Sequence, residues 1–469
     1  MGSARPVRPR SAAPRFGAGY AALLVAFSFA VMADPVSSVA YAIEAGLRAL
    51  HGRLSLLLLT MGLVLAIIGV VRLNYDQLIQ RFPEGGGAVA ATSVAFGEAW
   101  AFVPLGALIV DFVLTIAISA AAAASAVIAY VPSLAGFRVL VALGFVVLVA
   151  GLTWFGHIGR SVFAAMTIAF VAVAAVVLTR GLISPHQAVF DPHPITTGQT
   201  SLFTVFLAFP VAMALATGVE APSSAIAQLG QLDDVGRRRF GRITLWLTFA
   251  IEGSLTILIT ALAVRLSVGI PGKDSTLIAN VAEASVGRGP LFALFQLTSS
   301  LLLLAATSSS FQAGPGLLKA LARRDSDRGG AIGILPRSLG ATNRHHTPYW
   351  SVLVYLVVSG LVVVIAGGRD QELVLFYAVA VFVSFLCGLL AMARFSDRDR
   401  DRWHRRVNIF GAVVVAFTIL VNLRRGYPII SLAAAGVIAL VLHAQWVRSG
   451  RPRGVAQAEI EAERDLGAV

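Results

Sequence analysis

Charge is scarce in this sequence: only 13% of its 469 residues are Asp, Glu, Lys or Arg, against about 25% in an ordinary soluble domain. Together with 57% hydrophobic residues and a mean hydropathy of +0.81, that scarcity excludes a water-soluble globular protein. Cysteine is nearly absent, with Cys387 alone, which excludes a disulfide framework and any multi-thiolate metal site. No HExxH, GxSxG or nucleotide-binding loop occurs, so nothing points to an enzyme and no cofactor is expected. The stretch GAGYAA at 17–22 formally matches a dinucleotide fingerprint, but no strand precedes it and it opens an apolar run. The 44 glycines suit packed membrane helices, where small residues let backbones approach. A net charge of +13 would suggest nucleic acid in a soluble chain. Here the arginines lie between apolar runs, so no nucleic acid is expected and the charge reports membrane topology.

Apolar runs recur near 18–50, 54–71, 98–129, 137–155, 160–179, 200–229, 243–266, 290–311, 349–366, 372–393, 407–423 and 428–447. Most reach the roughly 20 residues needed to cross hydrocarbon, which predicts an all-α integral membrane protein of twelve transmembrane helices in a lipid bilayer. With the N-terminus inside, 27 of the 37 Lys and Arg fall on the inner side and 10 on the other. Both termini are therefore expected in the cytoplasm and the chain in the plasma (inner) membrane. Residues 1–17 are expected to be a disordered basic cytoplasmic arm. Residues 18–447 form the transporter domain, with repeat one at about 18–179, repeat two at about 200–394 and spans 11 and 12 at about 407–447. Residues 448–469 are a charged cytoplasmic tail, too short for a folded domain.

Two spans each carry a carboxylate and a proline at mid-membrane depth. The first reads FAVMADPVSSVAYAIEAGL, with Asp34 and Pro35; the sixth reads LAFPVAMALATGVEAPSSAIAQLG, with Gly218, Glu220 and Pro222. Each opens a set of five spans, which suggests a duplicated five-helix unit with its copies inverted. In a 5+5 inverted repeat, discontinuous helices 1 and 6 form the substrate site at the repeat interface. Two proline kinks with internally paired polar residues are the plainer reading.

A charge at a helix centre costs about 2.5–3.5 kcal/mol on insertion scales, so Asp34, Asp111, Glu220 and Glu252 each need a reason; Glu44 lies nearer a span end. Thr115 follows Asp111 by four residues and shares its helix face. Tyr41 follows Asp34 by seven, about two turns, and Thr217 precedes Glu220 by three, across Gly218. Where helices 1, 3 and 6 meet, these oxygens converge. Such a donor set suits a hard cation, and three carboxylates in low dielectric cannot all stay ionised, so a shared proton is expected. Asp34, Asp111, Glu220 and Glu252 are the candidates for that coupling proton. Glu252 is equally readable as a relay group or as paired within the bundle. Thr307, Ser308, Ser309 and Ser310 offer hydroxyls to a sodium ion, although such residues more often satisfy helix carbonyls. Tyr377 reads as a gate over the site or as a core aromatic. The loop PEGGG at 83–87 allows a tight turn or a close backbone approach.

These segments carry a resemblance. ADPVSSVAYA, RFPEGGGAVAAT, VDFVLTIAIS, ATGVEAPSSAI, LAATSSSFQAGPGLLKALARRD and LFYAVAVF, in that order, resemble the amino acid–polyamine–organocation (APC) superfamily. Within it the chain is most similar to KUP-type and KimA-type potassium uptake permeases. The resemblance implies a LeuT-like fold and proton-coupled potassium symport. It implies a potassium site at Asp34 and Tyr41, Asp111 and Thr115, Thr217 and Glu220, and Tyr377, with K+ itself as the only metal. Two departures stand out. Phe112 replaces the Tyr of the KimA-type pattern, removing a hydroxyl, and no counterpart of the C-terminal cytoplasmic region of both groups is present to carry over its regulation or dimerisation. The helix 1 turn of many amino acid permeases is replaced by Asp34-Pro35-Val36-Ser37-Ser38, which favours a cation.

The expected function is therefore proton-coupled potassium uptake by alternating access, with the potassium ion, the proton and the bilayer as partners. A homodimer is not indicated by the sequence. The first alternative is a proton- or sodium-coupled amino acid or amine permease of the same fold, with Asp34 or Glu220 holding the ammonium. A membrane sensor that binds without transporting is the alternative of a different class.

Overall fold

A computed structural model describes residues 18–156, 159–186, 202–323, 333–426 and 428–467; the basic arm expected at 1–17 lies outside them. The first expected span is interrupted, as α1 (Ala18–Val31), α2 (Ala33–Ser37) and α3 (Val39–Ala49). Pro35 supplies no N–H to the helical ladder. The Ser37 hydroxyl donates to Asp34 O at 2.7 Å and that of Ser38 to Pro35 O at 2.6 Å, drawing carbonyls away from regular helix. The rest of repeat one is α4 (Leu54–Arg81), α5 (Gly87–Phe96), α6 (Phe102–Tyr130), α7 (Arg138–Trp154) and α8 (Arg160–Ile183).

Repeat two has the same plan. Its first span breaks after α9 (Leu202–Ala212): a 3-10 turn at Met213–Ala216 leads to extended Thr217 and to Gly218 at φ +72°, and the chain resumes as α10 (Ala221–Ala225). Then come α11 (Asp234–Arg265), α12 (Leu277–Val286), α13 (Pro290–Ala322), the single turn α14 (Arg337–Gly340), α15 (Tyr349–Ile365) and α16 (Asp370–Arg398). In both repeats a ten-residue helix, α5 or α12, joins the second span to the third. Corresponding spans also pack on one another: the first on the sixth through α3 and α9, the second on the seventh through α4 and α11, the third on the eighth through α6 and α13, and the fourth on the ninth through α7 and α15. That is the pairing required of two copies related by an axis running between them. The α6–α13 seam is close because α6 presents buried Ala120, Ala121, Ala123 and Ala124, and small residues let helices approach. Gln296 and Ser300 of α13 donate to the carbonyls of Ala126 and Ala123.

The final helices are α17 (Arg402–Leu423), α18 (Pro428–Arg448) and α19 (Gln457–Gly467). The exposed aliphatic surface, including Leu140, Ile365, Leu420 and Leu440, lies on α7, α15, α17 and α18, where it faces lipid. Ten helical stretches among the described residues are long and apolar enough to cross a bilayer. The other two expected spans are the interrupted α1–α3 and α15, which has 17 residues. Two sequence expectations shift. The second span continues to Arg81 rather than ending near residue 71, which places Arg72 inside the bundle, fully buried. The tail carries a helix, α19, which at 11 residues is too short to persist alone in water and is held by contacts with the bundle.

Candidate functional site

The two broken spans touch. A Cβ on Gly218 would lie 2.8 Å from Pro35 Cδ and 2.9 Å from Asp34 Oδ2, so only glycine fits where the breaks cross. Its positive φ is the second reason, since an L side chain there adds steric cost. The Ser38 hydroxyl also reaches across, donating to Leu215 O at 3.0 Å.

Beside this crossing lies a cavity of about 110 Å³ lined by Asp34 of α2, Asp111 of α6 and Glu220 at the start of α10. One enclosed water needs roughly 10–15 Å³ on the same measure, so there is room for several waters or a partly hydrated ion. Asp34 Oδ1 and Glu220 Oε2 are buried acceptors without a hydrogen-bond donor in the protein. Asp111 is buried as well. Buried carboxylate oxygens are ordinarily hydrogen-bonded or metal-bound, so this cavity has the chemistry of a site that receives a cation or a proton. Phe112 lines it beside Asp111, adding an apolar ring to the wall. Ser309 and Ser310 complete the wall from α13.

The remaining sequence candidates fall into three groups. Tyr41, Thr115 and Thr217 are buried next to the lining residues but do not line the cavity. The Tyr41 hydroxyl has no hydrogen-bond partner, and the Thr217 hydroxyl donates to Ala214 O at 2.7 Å, leaving its lone pairs free to accept or coordinate. Of the four α13 hydroxyls, Thr307 donates to Leu303 O at 2.9 Å and Ser308 accepts from Gln312 at 3.2 Å, so those two serve their own helix while Ser309 and Ser310 reach the cavity. Tyr377 sits on α16, but its side chain lies outside the described residues.

Glu252 and Glu44 stand apart from the cavity. Glu252 Oε2 accepts from Arg72 Nη2 at 2.6 Å with both residues fully buried. Arg72 also donates to Leu245 O at 2.7 Å and lies over the Phe249 ring. Glu44 binds Arg48 at 2.8 Å and accepts the Leu277 N–H at 2.9 Å. On that same face Arg48 reaches Pro271 O, while Arg138 reaches Lys273 O and the Ser125 hydroxyl. These bonds tie the segment before α12 down over α3, α6 and α7.

Sequence reasoning missed several cavity residues. Arg160, at the first turn of α8, and Glu459 and Glu463, on α19, line its mouth together with Gln228. The spacing of Ala458, Ala462 and Leu466 along QAEIEAERDLG is the amphipathic signal that identifies a docking helix.

A family model described as amino acid permease matches residues 23–442. The chain is 28% identical over 338 residues to the potassium transporter KimA of Bacillus subtilis (strain 168), an alignment covering 70% of this chain and 53% of that protein. It thus spans about half the length of the curated relative. Among solved structures it is similar to the Eremococcus coleocola manganese transporter in complex with an aromatic bis-isothiourea compound, at 14% identity and TM-score 0.48, covering 97% of this chain and 98% of that one. A histidine-to-alanine mutant of the same transporter matches with the same identity, coverage and TM-score.

Proposed function

We propose, for a chain that belongs to the amino acid permease family of the APC superfamily, that it is a secondary transporter taking up potassium together with a proton. The observation that carries this reading is the convergence of three carboxylates on one cavity beside the crossing of the broken helices, with Asp111 buried and Asp34 and Glu220 each presenting one buried oxygen without a hydrogen-bond partner. Three like charges in a low-dielectric space repel unless a cation or proton enters. Empty and fully ionised is therefore the unfavourable state, and potassium with one proton on a carboxylate is the balanced one. Asp34, Asp111 and Glu220 supply negative charge. Tyr41, Thr115 and Thr217 supply neutral oxygens once the wall moves inward. Similarity to a protein named as a potassium transporter supports the choice of ion.

Alternating access follows from the two repeats rocking about the crossing of α2 and α10. The bonds of Arg48, Arg138 and Glu44 close the face opposite α19, and α19 itself stands between the site and the other face, so this arrangement corresponds to an occluded stage of the cycle. The excess of Lys and Arg on the α19 side makes it the cytoplasmic one, with both termini there. A second reading, an amino acid or amine permease, is favoured by the family description. In it, an ammonium group occupies the carboxylates.

The test is uptake into proteoliposomes. Purified protein is expected to accumulate rubidium or potassium and to acidify the lumen, with Glu220→Gln inserted normally but inactive. Uptake of an amino acid without potassium flux would establish the second reading, and normal potassium uptake by Glu220→Gln would remove Glu220 from the site.

A further inference from the structure

The mouth of the cavity is occupied by the chain's own last helix. Glu459 of α19 accepts the Ser224 hydroxyl at 2.7 Å, and Glu463 accepts from Gln228 at 2.8 Å; both glutamates line the same cavity as Asp34 and Glu220. Ala458, Ile460 and Ala462 are buried, and Ala462 packs against Gly316 of α13. Three peripheral links hold the helix to the bundle. Asp465 bridges Lys319 at 2.8 Å and Arg323 at 3.7 Å, Arg464 reaches Glu84 at 3.6 Å, and Glu98 accepts the N–H groups of Gly454 and Val455. The glycine turn before α5 is shaped to the same contact: at Gly85, φ +100°, a Cβ would lie 2.8 Å from Ala227 Cβ, and Gly86 abuts Ile460. Glu459 Oε2 is buried without a hydrogen-bond partner in a residue that lines the cavity.

From this geometry we infer that α19 is the inner gate of the transport pathway, a stopper that must leave its seat between α10, α13 and the α4–α5 turn before a cation passes between the cavity and the cytoplasm. The seat is made of small residues, a few hydrogen bonds and partly exposed ion pairs. Such pairs contribute little each, which suits a contact that opens and closes. The gate rests on the proposed transport reading, but its position over the mouth does not depend on which solute is carried.

The test uses the full chain. A Cβ on Gly316 would lie 3.6 Å from Ala462 Cβ, within the usual range for a disulfide of about 3.5–4.5 Å. Gly316→Cys with Ala462→Cys in a Cys387→Ser background is therefore expected to cross-link on oxidation. Potassium uptake should then fall at least about tenfold, because flux follows the fraction of gates that can open, and reductant should restore it. A second readout is independent of cargo. With Ala313→Cys as a cavity reporter in the Cys387→Ser background, labelling by an impermeant maleimide from the α19 side should be slow and should accelerate severalfold on adding Asp465→Lys, which sets like charges against Lys319 and Arg323. Equal uptake by the oxidised and reduced cross-linking variants, or labelling unaffected by Asp465→Lys, overturns the gate. Gated labelling in a protein that carries no potassium upholds the gate and rejects the potassium reading instead.

Discussion

The Arg72–Glu252 pair separates a structural role from a proton-carrying one. The two residues are 180 positions apart, fully buried, and 2.6 Å from each other. Glu252→Ala leaves the Arg72 guanidinium its bond to the Leu245 carbonyl but makes it a buried charge without its counter-ion. Breaking such a pair typically costs about 3–5 kcal/mol, whereas replacing both members with apolar residues of similar volume is often neutral or stabilising. Arg72→Met combined with Glu252→Leu should therefore melt near the wild-type temperature in detergent, while Glu252→Ala melts well below it. At about 1.4 kcal/mol per tenfold, the single change lowers the folded-to-unfolded ratio by roughly two to nearly four orders of magnitude. If the pair is structural, the double variant also keeps proton-coupled potassium uptake. Uptake lost in a double variant that melts like wild type would refute the structural assignment and return Glu252 to the proton path.

Gly218→Val should impair insertion or folding and abolish transport, since both the left-handed backbone and the 2.8 Å approach to Pro35 oppose any side chain; strain of this kind costs about 1–3 kcal/mol before the steric clash, and a melting curve measures it. The gate should respond to pH. Burial raises the Glu459 carboxyl from 4.5 to about 7 in the docked helix, with Ser224 partly opposing the shift, and burial raises Glu463 likewise. The other charged groups around them are Glu220 and Arg160 across the cavity, the Arg464–Glu84 bridge, and Lys319 and Arg323 on Asp465. A carboxyl raised by docking favours the docked state below about 4.5 and loses that contribution as pH rises through about 7. Labelling of the Ala313→Cys reporter, taken relative to an exposed cysteine at the same pH so that ionisation of the thiol cancels, should accordingly be faster at pH 8 than at pH 6, and a flat relative profile would exclude titration at this contact. Ser309→Ala should weaken potassium-dependent uptake more than Thr307→Ala does, because Ser309 lines the cavity while Thr307 serves Leu303; equal effects in uptake assays would contradict that distinction.

The architecture is legible because bilayer crossing imposes long apolar runs and because carboxylates at mid-membrane depth, two of them close to a proline, are costly enough to demand a use. Asp34, Asp111 and Glu220 are therefore identifiable as one group from the sequence, ahead of any view of their convergence. The second span reads short because hydropathy drops at Arg72, and the partners that make that arginine tolerable inside, Glu252, the Leu245 carbonyl and the Phe249 ring, are all distant in sequence. α19 escapes notice because its helix carries more charge than apolar area and buries a narrow face of alanines and one isoleucine. Its seat is assembled from α10, α13 and the turn before α5, which no local pattern brings together. Ser309 and Ser310 cannot be separated from Thr307 and Ser308 in a run of four hydroxyls, since the choice depends on the rotation of α13 against α6.

The central claim, that Asp34, Asp111 and Glu220 form one cation site, is tested most directly by ligand-dependent melting of the purified protein across potassium, rubidium, sodium and an amino acid panel. Binding to the folded state stabilises it by RT ln(1 + [L]/Kd), about 2.7 kcal/mol at a hundredfold excess over Kd. Potassium and rubidium should raise the melting temperature saturably in the wild type and leave Asp34→Asn and Glu220→Gln unmoved. Stabilisation by an amino acid but not by potassium, or a potassium shift that persists in both variants, would contradict the account.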